Sequence, residues 1–266
     1  MTHPRAKRRL GQHFLSDPRI LARIADALEA GAGDTVLEIG PGPGGLTAAL
    51  VERVGRLVAI EKDPDLVPAL RARFPGATIV EGDALEEDWH ALAGGPFLAA
   101  GNIPYNITSP LLDKALEPPR PRRIVFLVQK EVADRVTAPP GGAEYGALTV
   151  GVQAVARAER LFTVPAGAFQ PRPKVDSAVL RLVPLERPIV SDEERPAFRR
   201  LVVGLFGFRR KQLLRGLREL TGWDAERSGG VLARSGLVPS ARPETVSPEG
   251  YVALLRALVD EGWTPR

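Results

Sequence analysis

The chain contains no cysteine and only three histidines among its 266 residues. Without cysteine it can form neither disulfide bonds nor thiolate metal sites. His3, His13 and His90 do not show the spacing of metal ligands, so we expect no bound metal. These absences argue against thiolate metalloproteins and disulfide-stabilised folds.

Long apolar runs are missing as well. No run of eighteen apolar residues occurs, so we expect no transmembrane segment and no membrane partner. The first residues, MTHPRAKRRLGQHF, carry charge but lack the apolar core of a secretory signal. We therefore expect a cytoplasmic protein.

Asparagine occurs only twice, at Asn102 and Asn106, and both lie in the segment GNIPYNI. Pro104 stiffens this segment, because its ring fixes φ and its nitrogen has no hydrogen to donate. Asn102 offers a side-chain carbonyl acceptor, and Tyr105 offers a face on which a flat ring can stack. This combination suits the exocyclic amino group of a nucleobase. The alternative interpretation is a structural Asn-Pro turn between a strand and a helix.

Strand and helix patterns alternate along the first two thirds of the chain. Such alternation indicates an α/β protein with a Rossmann-like, doubly wound parallel sheet. The last two strand patterns alternate like an antiparallel closing pair. The predicted strands are 35–39, 56–61, 77–80, 97–102, 123–128, 159–164 and 177–183, and the helices between them include 110–116, 130–137 and 146–156.

Residues 184–196 are rich in proline and charge and show no periodicity, so we place a domain boundary there. The chain would then comprise an α/β domain over 1–184 and a small all-helical domain over 185–266. Strand patterns are absent from the second segment. Its predicted helices lie at about 195–206, 209–220 and 248–260.

A glycine-rich loop, EIGPGPGGLT, follows the first long strand and opens a helix. Gly40, Gly42 and Gly45 match G-x-G-x-x-G, which lets a ligand approach main-chain N–H groups. Glu61 ends the next strand, where a carboxylate can accept both hydroxyls of a ribose. NAD and S-adenosylmethionine both fit these features. Asp83, placed to meet an adenine amino group, and the lack of a hydride-transfer site favour S-adenosylmethionine. The structural alternatives are a tight turn with a surface acid and, for Asp83, a helix cap.

Positive charge is clustered although the net charge is only +4. The stretch 195–218 carries eight cations and no acid, and a second cluster lies near the N-terminus. Such runs suit a polyanionic partner, and the alternative is a solvated helix face. The members of the N-terminal cluster are Arg5, Lys7, Arg8 and Arg9.

The motifs together resemble those of the ribosomal RNA adenine dimethyltransferases. NIPY is similar to the family's N-[LI]-P-Y motif, and KRRLGQHFL to its N-terminal motif. EIGPGPGGLT resembles its cofactor loop, and FQPRPKVDSAV its late catalytic-domain motif. FRRKQLLRGL resembles its C-terminal basic motif. The C-terminal segment and the Pro-Lys-Val-Asp-Ser string are more similar to the small-subunit branch than to the macrolide-resistance branch.

This resemblance implies N6,N6-dimethylation of two adjacent adenosines near the 3′ end of small-subunit ribosomal RNA, late in subunit assembly, with S-adenosylmethionine as methyl donor. It implies cofactor contacts by His13, Leu15, Gly40, Glu61, Asp83 and Asn102. It places Asn102, Pro104, Tyr105 and Phe169 around the target base, the two aromatic rings as stacking faces. For RNA phosphates we predict contacts from Arg209, Arg210, Lys211 and Arg215.

The chain departs from the family's pattern at three positions. His13 stands where many relatives have Asn, and Gln212 and Gly216 stand where the family usually shows Thr and Asn. The role of His13 depends on its tautomer. The two C-terminal departures leave the detailed contacts of the basic motif open.

Other functions compete with this interpretation. A methyltransferase acting on large-subunit RNA, a non-catalytic RNA-binding assembly or transcription factor, and a nicotinamide oxidoreductase are the alternatives. The intact motifs favour an enzyme over a binder. We expect a monomer that acts on small-subunit RNA or a partly assembled small subunit, mostly by positioning the reacting groups and without a dedicated general base.

Overall fold

The computed structural model describes residues 6–7 and 10–264, which form two compact units. The first unit comprises the chain up to Ala133 together with Ala158–Pro184. The second comprises Asp134–Arg157 and the chain from Leu185 onward. Three members of the predicted N-terminal basic cluster, Arg5, Arg8 and Arg9, lie outside the described residues.

Strands and helices alternate as the sequence predicts. The strands are β1 (Phe14–Leu15), β2 (Thr35–Ile39), β3 (Arg56–Glu61), β4 (Thr78–Glu81), β5 (Phe97–Asn102), β6 (Ile124–Gln129), β7 (Ala156–Val164), β8 (Phe169–Gln170) and β9 (Ser177–Pro184). The helices are α1 (Pro18–Ala27), α2 (Gly45–Val51), α3 (Val67–Arg73), α4 (Trp89–Ala93), α5 (Thr108–Ala115), α6 (Lys130–Val136), α7 (Ala147–Gln153), α8 (Arg195–Gly207), α9 (Leu213–Thr221), α10 (Ala225–Arg234) and α11 (Pro248–Asp260). None of the described helices is long and apolar enough to cross a membrane.

A seven-stranded sheet with the order β4-β3-β2-β5-β6-β9-β7 organises the chain. β2 pairs in parallel with β3 and β5, β4 and β6 extend the parallel part, and β9 runs antiparallel to β6. The α/β fold predicted from the sequence is therefore confirmed. In the register, Ile39 lies opposite both Ile60 and Gly101, so β2, β3 and β5 end level with one another. The residues that follow them meet at one edge of the sheet.

The central strands are apolar because helices cover both faces of the sheet. Val36, Leu98 and Val125 are buried in the cluster that also holds Ile24 and Leu28 of the α1 region. α1 begins at Pro18, where a missing N–H costs nothing, and the Asp17 side chain caps it by accepting from the Arg19 N–H at 2.9 Å.

A second, two-stranded sheet pairs β1 antiparallel with β8. Phe14 lies opposite Gln170, and Leu15 lies opposite Phe169. Strands of two residues have no measurable periodicity, so the sequence did not predict this pairing. The pairing connects the segment before α1 to the segment before β9, both in the first unit.

The second unit contains α7 to α11, and its core includes three aromatic rings. Tyr145 and Tyr251 are fully buried, with the Phe206 ring 6.2 Å from Tyr145 and 6.0 Å from Tyr251. Both tyrosine hydroxyls donate to main-chain carbonyls, those of Val246 at 2.8 Å and Pro243 at 2.9 Å. The polar ends of these buried rings are therefore satisfied.

The division between the units differs in one respect from the boundary proposed from the sequence. Pro184 is the last residue of the first unit, and residues 134–157 belong to the second. The reason is packing: α7 contacts α8 and α11. In addition, the Leu185 N–H donates to the Val155 carbonyl and the Ile189 N–H to the Ala154 carbonyl, both at 2.9 Å.

Candidate active site

A cavity lies at the carboxyl edge of the sheet, within the first unit. The segment before α1 contributes part of its wall, and the loops after β2, β3, β4 and β5 contribute the rest. All six predicted cofactor contacts line it: His13, Leu15, Gly40, Glu61, Asp83 and Asn102. Pro104 and Tyr105 also line it, whereas Phe169 is not among its lining residues.

The glycine loop after β2 has a backbone that other residues rarely adopt. Gly40 and Gly42 have φ of +66° and +57°, and the Gly40 N–H donates to the Ile60 carbonyl at 3.0 Å. A Cβ on Gly42 would lie 3.2 Å from the Phe14 ring. Gly45 serves close packing instead, since a Cβ there would lie 3.1 Å from the Leu15 carbonyl oxygen. The loop thus requires glycine for both conformation and space.

Glu61 is held by the glycine loop and by the turn that follows β3. Its Oε2 accepts from the Gly42 N–H at 2.9 Å, and its Oε1 accepts from the Asp63 N–H at 2.8 Å. Glu61 is buried, and burial raises the pKa of its carboxyl. The Lys62 N–H also donates to this carboxyl, and because a carboxylate can accept about four hydrogen bonds, Glu61 still has capacity for a ligand. Glu61 is therefore not the surface acid of the structural alternative.

Glu38 is a site residue that the sequence analysis missed. It is 1% exposed and lines the cavity one position before the end of β2. Its Oε2 has no hydrogen-bond partner within the described chain, and burial raises its pKa to about 8. The signal for Glu38 in the sequence is an acidic residue two positions before Gly40. It lies inside TVLEI, however, and the apolar residues of that segment are already accounted for by a buried strand.

Asp83 has partners on both oxygens. Oδ1 accepts from the Leu85 N–H at 3.0 Å, and Oδ2 forms an ion pair with Lys62. Burial opposes its ionisation, but the hydrogen bonds from Lys62 and Leu85 outweigh burial and hold its pKa below the usual range. Asp83 is not the helix cap of the structural alternative, because Asp88 caps α4; it makes a local turn contact with Leu85 and also lines the cavity.

Asn102 ends β5, and its side chain is oriented by the segment before α1. Its Nδ2 donates to the main-chain carbonyl of His13 at 2.8 Å. Because this bond uses the amino end of the amide, Oδ1 is the end left to accept from a ligand. The Pro104 carbonyl is already engaged, accepting from the Ile107 N–H at 3.3 Å and from the Thr108 hydroxyl at 3.2 Å. Pro104 therefore shapes the turn.

The Tyr105 ring stacks on His13, with 5.4 Å between ring centroids and an interplanar angle of 22°. Its hydroxyl is hydrogen-bonded to that of Ser177 at 2.6 Å. His13 Nδ1 lies 2.8 Å from the Pro171 carbonyl oxygen. Because a carbonyl only accepts, Nδ1 carries the proton, which answers the question of the tautomer.

Phe169 does not offer an open stacking face in this structure, in contrast to the sequence expectation. It is 3% exposed and belongs to the same hydrophobic cluster as Leu15 and Val179. The physical reason is the β1–β8 pairing, which aligns Phe169 with Leu15. The aromatic residue of this motif therefore supports the wall of the site.

Asp63 anchors the segment before α1, and no sequence pattern pointed to this role. This carboxylate is 2% exposed. Its Oδ1 lies 2.5 Å from Lys7 Nζ, and its Oδ2 accepts from Gln12 Nε2 at 3.0 Å. Lys7 Nζ also contacts the exposed Asp65 at 2.5 Å. Because the Asp63 N–H binds Glu61, this anchor is adjacent to the predicted ribose contact.

Of the predicted phosphate contacts, Arg209, Arg210 and Lys211 lie at the turn between α8 and α9 in the second unit, and Arg215 lies in the first turn of α9. Arg209, Arg210 and Arg215 are exposed, and Lys211 is half-buried and pairs with Glu219 at 3.3 Å. Gly216 is buried in α9, and a Cβ there would lie 3.4 Å from Leu205 and Phe208, which is an ordinary packing distance. Space at the Cβ position therefore does not explain the departure to glycine.

Known proteins match the chain over nearly its whole length. The family described as ribosomal RNA adenine dimethylase matches residues 3–233. A protein named ribosomal RNA small subunit methyltransferase A from Geobacter metallireducens is 44% identical over 97% of both chains. The protein of that name from Acinetobacter baylyi is 44% identical over 96% of this chain and 93% of its own.

Two solved structures share the fold. A dimethyladenosine transferase from Plasmodium falciparum has a TM-score of 0.83 and 25% identity, and the match covers 96% of this chain and 100% of that one. The 23S rRNA methyltransferase ErmE has a TM-score of 0.72 and 30% identity over 92% of this chain and 99% of its own. These matches confirm the prediction of an rRNA adenine dimethyltransferase, and the chain belongs to the ribosomal RNA adenine dimethylase family.

Proposed function

We propose that the enzyme transfers methyl groups from S-adenosylmethionine to N6 of two adjacent adenosines near the 3′ end of small-subunit ribosomal RNA. The substrate would be a small subunit late in assembly, in the cytoplasm, with the enzyme acting as a monomer. The observation that carries the chemistry is the orientation of Asn102, whose Nδ2 is bound by His13 and whose Oδ1 is left to accept.

The described residues fit an adenosine-containing methyl donor. The backbone of Gly40 and Gly42 leaves room for close approach, and Glu61 and Asp83 line the same cavity at successive strand ends. The buried carboxyl of Glu38, whose Oε2 has no partner among the described residues, offers a further polar group to a ligand in this cavity. Glu61 would bind the ribose hydroxyls, and Asp83 the adenine amino group. His13 and Leu15 would cover the ligand, which supplies an electrophilic methyl group.

Asn102 would activate the target amino group by accepting a hydrogen bond from its N–H on Oδ1. The amino lone pair of adenine is delocalised into the ring, so the nitrogen is a poor nucleophile. A hydrogen bond to Oδ1 favours a pyramidal nitrogen whose lone pair points away from the ring plane. Methylation makes this nitrogen strongly acidic, so its proton can leave without a dedicated general base. Catalysis would then consist mainly of positioning and electrostatic stabilisation.

Tyr105 would hold the base once it has left its stack. Unstacking costs a few kcal/mol, and stacking on an aromatic ring offsets part of that cost. The bond to Ser177 fixes the ring without using an atom that a base needs. Phe169 contributes by holding β8 against β1, and we propose direct stacking by Phe169 only for a conformation in which this pair has opened.

The small subunit is favoured as substrate by the relatives named small subunit methyltransferase A, at 44% identity. The alternative is large-subunit RNA, for which the likeness to a 23S rRNA methyltransferase is weaker, at 30% identity. A non-catalytic RNA binder would not need Glu61, Asp83 and Asn102 around one cavity. Phosphate contacts by Arg209, Arg210, Lys211 and Arg215 are part of the proposal.

The decisive experiment incubates the enzyme with radiolabelled S-adenosylmethionine and undermethylated small subunits, and then maps the labelled nucleosides. We expect label on N6 of two neighbouring adenosines near the 3′ end. Matched reactions contain free small-subunit RNA, mature large subunits, or the Asn102→Ala variant. Label confined to large-subunit RNA would assign the alternative substrate. Cofactor binding without transfer to any of these RNAs would contradict the proposed reaction.

A further inference from the structure

A groove in the second unit combines tryptophan rings with arginines, and the function proposed above does not use it. Its walls come from α8, the end of α9 and the residues after α11. The residues that carry the argument are Arg199, Arg200, Val203, Trp223 and Trp263.

Both tryptophans occupy the same local structure. Gly222 ends α9 with φ of +75°, and Gly262 follows α11 with φ of +86°, and a tryptophan comes directly after each glycine. Hydrogen bonds fix both positions: the Trp223 N–H donates to the Thr221 hydroxyl at 3.2 Å, and the Trp263 N–H donates to the Leu258 carbonyl at 2.8 Å. The two rings are therefore presented by helix ends that the backbone holds in place.

The two rings are not part of the buried core. Trp223 and Trp263 are half-buried, and Val203 beside them is 55% exposed. Trp89 shows the contrast, because it is buried and donates its indole N–H to the Ala84 carbonyl at 2.8 Å. The Arg227 guanidinium lies 3.9 Å from the centroid of the Trp223 ring, so one face of that ring is already stacked. The groove thus carries aromatic surface that core packing does not require.

The charged residues among the described lining of the groove are all cations. Among the described residues that line it, Arg199 and Arg200 are charged and none is acidic. Both arginines belong to the acid-free stretch 195–218 and also have interactions inside the protein. None of the four cations between Arg209 and Arg215 lines the groove. Positive charge interleaved with aromatic rings is the combination that binds single-stranded nucleic acid, where bases stack and phosphates pair with cations.

We propose that this groove binds an unpaired segment of RNA, with Trp223 and Trp263 as stacking surfaces for bases and Arg199 and Arg200 as phosphate partners. The inference rests on the proposed function in one respect, because that function brings RNA to the protein. It adds a second RNA contact, separate from the cluster at the α8–α9 turn. Stacking tolerates any base, so the contact would recognise single-stranded character rather than sequence.

The test measures binding of full-length protein to an unstructured oligouridylate carrying a fluorescent label, over a range of salt concentrations. We expect the double variant Trp223→Ala, Trp263→Ala to bind about tenfold or more weakly. The double variant with phenylalanine should retain most of the affinity, since its rings still stack. Arg199→Gln with Arg200→Gln should reduce the slope of log K against log salt by about 0.7 per lost phosphate contact. Melting temperatures identify variants that fail to fold. If the alanine pair fails to fold, the binding of the phenylalanine and glutamine pairs tests the proposal.

Three results would overturn the groove proposal. The wild-type protein could fail to bind the oligonucleotide, the alanine pair could bind it normally, or an acidic peptide of equal charge could compete equally well, which would indicate a protein partner. Methyl transfer to undermethylated small subunits by the wild-type enzyme is measured in parallel. If methyl transfer is normal but the groove variants bind the oligonucleotide like the wild-type protein, only the groove proposal is contradicted. If the wild-type enzyme transfers no methyl groups, the proposed function is contradicted.

Discussion

The Asn102 amide donates from Nδ2 to the main-chain carbonyl of His13, 89 positions earlier in the chain, at 2.8 Å. Because this bond engages Nδ2, it determines that Oδ1 is the end of the amide available to a ligand in the cavity. The segment before α1 therefore orients the residue that is proposed to activate the substrate.

The first prediction concerns this amide. Asn102→Ala should slow methyl transfer by about 30- to 1000-fold, because a lost hydrogen bond to developing positive charge costs roughly 2–4 kcal/mol in the transition state. Some loss of cofactor affinity is expected, since Asn102 lines the cofactor cavity. The rate loss should persist at saturating cofactor in single-turnover assays. Near-normal turnover would mean that GNIPYNI is only a structural turn.

Asn106 is the matched control for Asn102, because it is the second amide of the same segment. It is exposed, and its Oδ1 lies near Gly11, only 2.9 Å from where a Cβ on that glycine would be. Asn106→Ala should lower the melting temperature more than the saturated rate. Equal rate losses in the two variants would point to general disruption of the turn.

The second prediction separates the ring of Tyr105 from its hydroxyl. Tyr105→Ala should weaken capture of the target adenine by roughly 1–3 kcal/mol of stacking. Tyr105→Phe and Ser177→Ala each remove the bond between the two hydroxyls, so both should be mild. The double variant should be little worse than either single one, because all three lack the same bond. If Tyr105→Phe is as damaging as Tyr105→Ala, then the hydroxyl has a chemical role.

The third prediction concerns the anchor at Asp63. Asp63→Ala removes partners from Lys7 and Gln12 and should weaken cofactor binding, measured by calorimetry, by roughly 1.5–3 kcal/mol. The saturated rate should change less than the cofactor KM. Asp65→Ala is the control, because Asp65 also contacts Lys7 but its side chain is 73% exposed, which predicts a loss within about 1 kcal/mol. Equal losses at both positions would show that only net charge matters.

The sequence predicted the positions of those candidate residues that lie at the ends of long strands. Glu61 and Asn102 end β3 and β5, whose limits the apolar patterns define to the residue. Parallel pairing with β2 then brings both to one edge. Local pattern and topology suffice in these cases, because neither residue depends on a side chain from elsewhere for its placement.

Some of the features that were not predicted depend on contacts between residues distant in sequence. Others depend on tertiary packing that compensates for a low helix propensity. Lys7 and Asp63 are 56 positions apart, and no local pattern links them. β1 and β8 form only through each other. α10 contains Gly229 and Gly230, which disfavour a helix, but Asp224 caps it and it packs against α9 and α11. Such features become visible only when the tertiary contacts are known.

The fourth prediction concerns the cluster of cations at the α8–α9 turn and the start of α9. Neutralising Arg209, Arg210, Lys211 and Arg215 together should weaken RNA binding across sequences and flatten its salt dependence. Each lost phosphate contact removes about 0.7–0.9 from the slope of log K against log salt. Cofactor affinity, measured by calorimetry, should be unchanged, because the cavity lies in the first unit. Normal substrate binding at every salt concentration would mean that these cations form a solvated surface.

The last prediction uses pH to test the state of Glu38. Burial, reinforced by the nearby Glu61, raises the pKa of Glu38 to about 8, whereas an unfolded glutamate titrates near pH 4.5. Between these values the native protein holds a proton that the unfolded chain has released. Stability from this group is therefore complete below about pH 4.5 and falls as pH rises to about 8, by at most about 1.4 kcal/mol per pH unit.

Glu38→Gln removes the titration and keeps the shape of the side chain. In urea unfolding from pH 5 to 9, the variant should gain on the wild-type protein up to about pH 8, with no further gain above it. The exposed Glu117, changed to Gln, should give a curve parallel to wild type. A parallel curve for Glu38→Gln would show that this carboxyl is ionised in the folded protein.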